Sequence, residues 1–194
     1  MDKNYLSQLY NAGGLTESGV LQAVAKGWIS TEDAVEILGS DNALETIRSA
    51  KLLEISTACN TVIVSGIDLE LNGTSVHFNL SIEDQANIAN LFRVVELGGT
   101  EFPYQADGGV CRIYTATEIA SIYIAAQTLI TTQTTYHNAL KAYVQSLDSV
   151  ESLTAVVYGM DLPEPYSTEM HEKLAVANAQ MQAIIARMNS SANA

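Results

Sequence analysis

GIDLELNGTSVHFNL, Gly66–Leu80, is the stretch on which the fold turns. Ile67, Leu69 and Leu71 alternate with Asp68 and Glu70, and Val76, Phe78 and Leu80 alternate with His77 and Asn79. A period of two is the pattern of strands with one face buried. Asn72 and Gly73 tolerate positive φ, so the two runs form a hairpin, with Thr74 and Ser75 leaving room for a loop longer than two residues. On either side of it the pattern is helical. A third strand is expected near 110–114, where Val110, Arg112 and Tyr114 alternate with Cys111 and Ile113. Paired with the hairpin it would complete a three-stranded antiparallel sheet, near the minimum for independent stability. The expected class is α+β, mostly helical, with a small antiparallel sheet (hairpin 67–80 plus the strand near 110–114) packed against long helices.

Upstream, residues 1–39 read as a small module of short helices. Thr16 and Ser30 stand where N-caps are needed, with Asp33 three residues after Ser30, and Gly27 and Gly39 follow as helix stops. Trp28 and Ile29 are expected to fold back onto the helices, Trp28 against Val24 and Ile37 or Leu38. The module is acidic, which excludes a DNA-binding helix-turn-helix. Ser40-Asp41-Asn42 is a candidate hinge into a body spanning 42–188. That body opens with a long helix over about 43–64.

Downstream of the hairpin, Ser81 with Asp84 and Thr115 with Glu118 form capping-box pairs, each opening a helix. The Thr131–Thr135 run is β-branched and polar, so a weak spot or register change is expected there. The last helix starts near Ser167 or Thr168, and Met170, Leu174, Ala177, Met181, Ile184, Ile185 and Met188 make its stripe. Residues 189–194 are expected to be a frayed, disordered tail.

Composition narrows the function classes. The 194 residues are 47% hydrophobic but only 16% charged, with 22 acids against 9 bases and a net charge of −13. A surface poor in charge is cheap to desolvate, which suits a subunit of an assembly. No Lys/Arg cluster is present, so nucleic acid is excluded as a partner and anionic membranes are disfavoured. The start, MDKNYLSQLY, lacks the features of a signal peptide, and no apolar run is long enough for membrane insertion.

The chemistry-bearing residues do not assemble into a known motif. His77, His137 and His171 have no second His or Cys at metal-ligand spacing. Cys111 with His137 lacks any orienting motif for a nucleophile. Cys59 and Cys111 sit in apolar surroundings and are expected to be buried thiols, the spacing leaving one disulfide open. Asp68 with Glu70, and Glu83 with Asp84, suit solvent-facing strand and helix-start positions. No residue is assigned a catalytic, cofactor-binding or metal-binding role. Trp28, Tyr136, Tyr143 and Met181 are the candidate protein contacts, being large apolar side chains on faces a partner could cover.

Two stretches resemble known families. GGLTESGVLQAVAKGWISTEDAVEILG, residues 13–39, resembles the short XkdX-like proteins of phages and prophages of Gram-positive bacteria, in its LT start, Val-bearing helix, KGWIS turn and closing EILG. Ser30 stands where those proteins usually have threonine. GIDLELNGTSVHFNLSIEDQANIANL, FPYQADGGVCRIYTATEI and YHNALKAYVQSL together resemble a domain of unknown function found in many phage tail and tail-fibre-associated proteins. The FPYQADGG segment has no tryptophan, which many members carry there, and the family has no catalytic residues to transfer. The resemblance implies a non-enzymatic structural or accessory component of a phage or prophage-derived tail tip or baseplate. Its partners would be other tail or baseplate proteins and further copies of itself, and it would reside in the virion tail after synthesis in the bacterial cytoplasm. A tail assembly chaperone absent from the mature particle and a host adaptor domain are the alternatives.

Overall fold

The computed structural model describes residues 2–39 and 43–192. The elements run α1 (Lys3–Asn11), α2 (Glu17–Ala25), α3 (Thr31–Leu38), α4 (Ala43–Val64), β1 (Ile67–Leu71), β2 (Thr74–Phe78), α5 (Ile82–Glu96), β3 (Glu101–Tyr104), β4 (Arg112–Thr115), α6 (Ala116–Ser146), α7 (Val150–Thr154) and α8 (Tyr166–Ala192). The chain is mostly helical, with small antiparallel sheets among long helices. It divides into two compact units, Met1–Cys59 with Tyr136–Met170, and Asn60–Thr135 with His171–Ala194. The hinge expected at Ser40-Asp41-Asn42 lies outside the described residues, as do 193 and 194 of the expected tail.

The first unit holds two cores. In one, Leu6, Val20, Ala23, Val24, Ile29, Ala34 and Ile37 of the N-terminal helices close on Ala50 of α4. Each helix start is satisfied locally. Asp2 accepts from Tyr5 N, Thr16 from Gly19 N, and Ser30 with Asp33 makes a full capping box. Gly27, at φ 68, lets the chain reverse after α2. Gly27 N then donates to Val24 O and Trp28 N to Ala23 O, the paired bonds of a Schellman stop. That reversal sends Ile29 inward and Trp28 outward, so the expected packing of Trp28 on Val24 and Ile37 does not occur. The indole is 44% exposed, with Lys26 Nζ 4.8 Å above its ring.

The other core of this unit joins Ile47 and Ile55 of α4 to Leu140, Val144, Leu153 and Val156. Two cations of α4 serve it. Arg48 Nη1 donates to the carbonyls of Val144, Gln145 and Leu147, covering orphan acceptors at the end of α6. Lys51 is buried, and its ammonium donates to Val156 O and pairs with Glu54.

In the second unit the hairpin forms with a two-residue loop. Leu71 faces Thr74 in the register, and Asn72 and Gly73 both take positive φ, as a type I′ turn requires. Thr74 and Ser75 therefore belong to β2. Alternation sorts the faces as expected, with Leu71, Phe78 and Leu80 buried and Asp68 and Asn79 exposed. Gly66 enters β1 at φ 86, where a Cβ would stand 2.1 Å from Phe78 O.

The three-stranded sheet does not form. β4 pairs instead with β3, giving two separate two-stranded sheets. The extended Glu101–Tyr104 segment takes the place beside β4, and the turn between them closes on the end of β2. There Asp107 N donates to His77 O, and the Asp107 carboxylate accepts from Asn79 N. The core of this unit is Phe78, Leu80, Phe102, Tyr114, Ile88 and Ile119 with their neighbours from both sheets, α5 and α6. The Thr131–Thr135 run does not interrupt α6, within which Thr134 Oγ1 donates back to Ile130 O.

Candidate interaction surface

Glu118, buried at the start of α6, is densely bonded. One carboxylate oxygen accepts from Arg112 Nη2 at 2.9 Å and Asn72 Nδ2 at 3.0 Å. The other accepts from Thr115 N at 2.8 Å and Thr115 Oγ1 at 3.1 Å. Arg112 beside it holds this carboxyl below the usual range, burial opposing and the Thr115 bonds adding to the effect. The guanidinium also lies 3.5 Å from the centre of the Tyr114 ring. With four donors on two oxygens, Glu118 has no lone pair free for proton transfer. It ties the hairpin turn, β4 and α6 together.

A second polar group lies on the hairpin face. His77 Nδ1 is 2.9 Å from Asp68 Oδ1, and Nε2 is 3.3 Å from Asn79 Oδ1. The Asp68 contact raises the imidazole above its ordinary value. Next to it Phe78, Tyr104 and Tyr114 form an aromatic cluster with centroids 6.1–6.2 Å apart. Burial, with Asp84 and Asp107 nearby, pushes the Tyr104 phenol up to about 12, so it stays a neutral hydroxyl. Glu83 and Asp84 occupy the first turn of α5, where Asp84 completes the capping box with Ser81. Among the described residues no group of three His, Cys, Asp or Glu is placed to hold a metal. Neither cysteine is in a disulfide. Cys59 is buried as expected, but Cys111 is exposed because the chain there is turn and not strand.

Large apolar side chains, by contrast, stand in solvent. Ile82 is 80% exposed, Leu97 87% and Val110 84%, at the two ends of α5 and in the turn before β4. On the β3–β4 ribbon, Phe102 and Tyr114 oppose one another and are buried, while Pro103 and Ile113, the next pair, are exposed. The alternation around Tyr114 carries the signal for Ile113, whereas Val110 lies before β4, which begins at Arg112, two residues later than the alternation starts.

The four contacts named from sequence have different fates. Trp28 is on the surface. Tyr136 and Tyr143 are half-buried around the Ile47–Val156 core. The Tyr136 hydroxyl donates to Met160 O and accepts from Gly159 N, and its ring meets Tyr158 edge-on. Tyr143 packs at a tilt on Tyr166. Met181 is half-buried on α8. Trp28, Tyr136 and Tyr143 belong to the first unit and Met181 to the second. No helix among the described residues is long and apolar enough to cross a membrane.

A family model described as a domain of unknown function, DUF4376, matches residues 46–162. No curated protein matches the chain, and no solved structure does.

Proposed function

The chain belongs to the DUF4376 family, and we propose that it is a non-enzymatic structural or accessory protein of a bacteriophage or prophage-derived tail tip or baseplate. It acts through contacts with other tail or baseplate proteins and resides in the virion tail. One contrast within the molecule carries this reading. Its polar side chains are spent on the chain's own architecture, Glu118 on four donors, Lys51 and Arg48 on backbone carbonyls, while Ile82, Leu97, Val110 and Ile113 are offered to solvent. Apolar side chains standing in solvent support protein contact as the mode of action, beside the family match. The XkdX-like stretch at 13–39 supports the same reading, and its exposed Trp28 is a natural anchor for a neighbour.

Mass spectrometry of purified particles tests it, after tagging the chain in a producing phage or prophage. The chain is expected among the tail proteins. Absence from particles that fail to assemble without it would identify an assembly chaperone instead. Absence from particles that form normally would remove the tail role.

A further inference from the structure

Of the chain's 12 glycines only Gly73 follows an asparagine. In that dipeptide the glycine nitrogen can attack the side-chain amide carbon before it, because no Cβ on the glycine keeps the two apart. Asn72 and Gly73 are exposed at the tip of the hairpin, so water reaches them, and nothing lies within 4 Å of where a Cβ on Gly73 would stand. One contact opposes the reaction. Asn72 Nδ2 donates to Glu118 Oε1 at 3.0 Å. An ionised carboxylate only accepts, so it is the amide nitrogen that faces Glu118. That nitrogen is the group that would leave. We propose that Asn72 is a site of spontaneous deamidation which Glu118 restrains, and that its conversion to aspartate releases the hairpin turn from α6. The inference is independent of the tail assignment.

Water is the one co-reactant. The Gly73 nitrogen bonds to Asn72 Cγ, the bond from Cγ to Nδ2 breaks, and the amide leaves as ammonia, taking the proton that Gly73 gives up. Water then opens the resulting five-membered ring. Opening at Cγ leaves aspartate, and opening at the backbone carbonyl leaves isoaspartate, whose main chain runs through the former side chain. Ring closure requires the Asn72 amide to swing onto Gly73, and the bond to Glu118 holds it away. The product reverses the contact. A carboxylate takes the place of the donor that stood 3.0 Å from Glu118 Oε1. Arg112 keeps Glu118 ionised, so the two carboxylates repel. Glu118 is left with Arg112 and Thr115 as donors. Isoaspartate also lengthens the main chain of a two-residue turn, against the pairing of Leu71 with Thr74.

Peptide mapping by mass spectrometry, after the full chain is incubated in mildly alkaline buffer, follows Asn72. Glu118→Ala is expected to convert it about tenfold faster than wild type, the factor that one hydrogen bond to a charged acceptor represents. Ser81→Ala removes the cap of α5 in the same unit without touching Asn72, and is expected to convert at the wild-type rate. Equal rates in Glu118→Ala and wild type overturn the proposal. So does the same acceleration in Ser81→Ala, since general loosening then accounts for it. Asn72 left intact in Glu118→Ala, over a time in which the urea-unfolded chain converts, overturns it as well. Where Glu118→Ala does not fold, Glu118→Gln takes its place, with a several-fold acceleration expected and none overturning the restraint. The release is read separately, by amide hydrogen exchange at Thr115 and Glu118, whose N–H groups bond within the cap of α6. Asn72→Asp is expected to speed that exchange, and more than Asn72→Ala, which removes the donor without adding a charge. Wild-type exchange in Asn72→Asp overturns the release.

Discussion

Trp28 and Ile29 are adjacent in sequence and differ sharply in what they contribute. Trp28→Ala is expected to change stability by less than about 0.5 kcal/mol, as surface substitutions do. Ile29→Ala should cost about 2–5 kcal/mol, because the side chain fills a core. Urea denaturation of both variants reads the difference. Glu118→Ala leaves Arg112, Asn72 and Thr115 N without their acceptor and is expected to cost on the order of 2 kcal/mol. Glu118 and His77 also contribute to the pH response. The Glu118 carboxyl titrates lower when folded, so its contribution is present above the ordinary carboxylate range and is lost as pH falls through the lowered value. His77 titrates higher when folded, so its contribution is present below the ordinary imidazole value and is lost as pH rises through the raised one. A proton-detected titration of His77 should show the raised midpoint, and Asp68→Asn should return it towards the ordinary value.

At the scale of elements, local chemistry was legible and pairing was not. The boxes Ser30–Asp33, Ser81–Asp84 and Thr115–Glu118 form as their spacing demands, because a cap is decided within four residues. The hairpin follows for the same reason, with Asn72-Gly73 setting its register. The partner of β4 depends on where a separate segment, Glu101–Tyr104, comes to rest, and alternation within β4 does not encode that. Nor does it encode the bonds between Asp107 and the end of β2. The helix ends show the same limit. Arg48 and Lys51 look like polar interruptions of an apolar face, and their use as donors to Val144, Leu147 and Val156 appears only once distant carbonyls are brought to them. Tyr136 is a further case, since its hydroxyl holds the Gly159–Met160 turn. Tyr136→Phe is expected to destabilise the chain by about 1–2 kcal/mol with its helix content unchanged, as thermal melting followed by circular dichroism would show.

For the molecule as a whole, composition pointed to protein contact, while the places offered for it came from the structure. The candidates Tyr136 and Tyr143 are largely consumed by the chain's own packing, whereas Ile82, Leu97, Val110 and Ile113 stand exposed. Apolar residues at element ends follow the pattern of a buried face but run past its edge, as Ile82 and Leu97 do at the two ends of α5. Gly66 has a further consequence, for how the gene tolerates change. At Gly73 the space beyond the backbone is empty, so asparagine or aspartate can take its positive φ at modest cost. At Gly66 the obstacle is the backbone oxygen of Phe78, which no neighbouring rotamer can move aside. In a saturation library selected for soluble protein, codon 73 is expected to return a handful of survivors and codon 66 glycine alone.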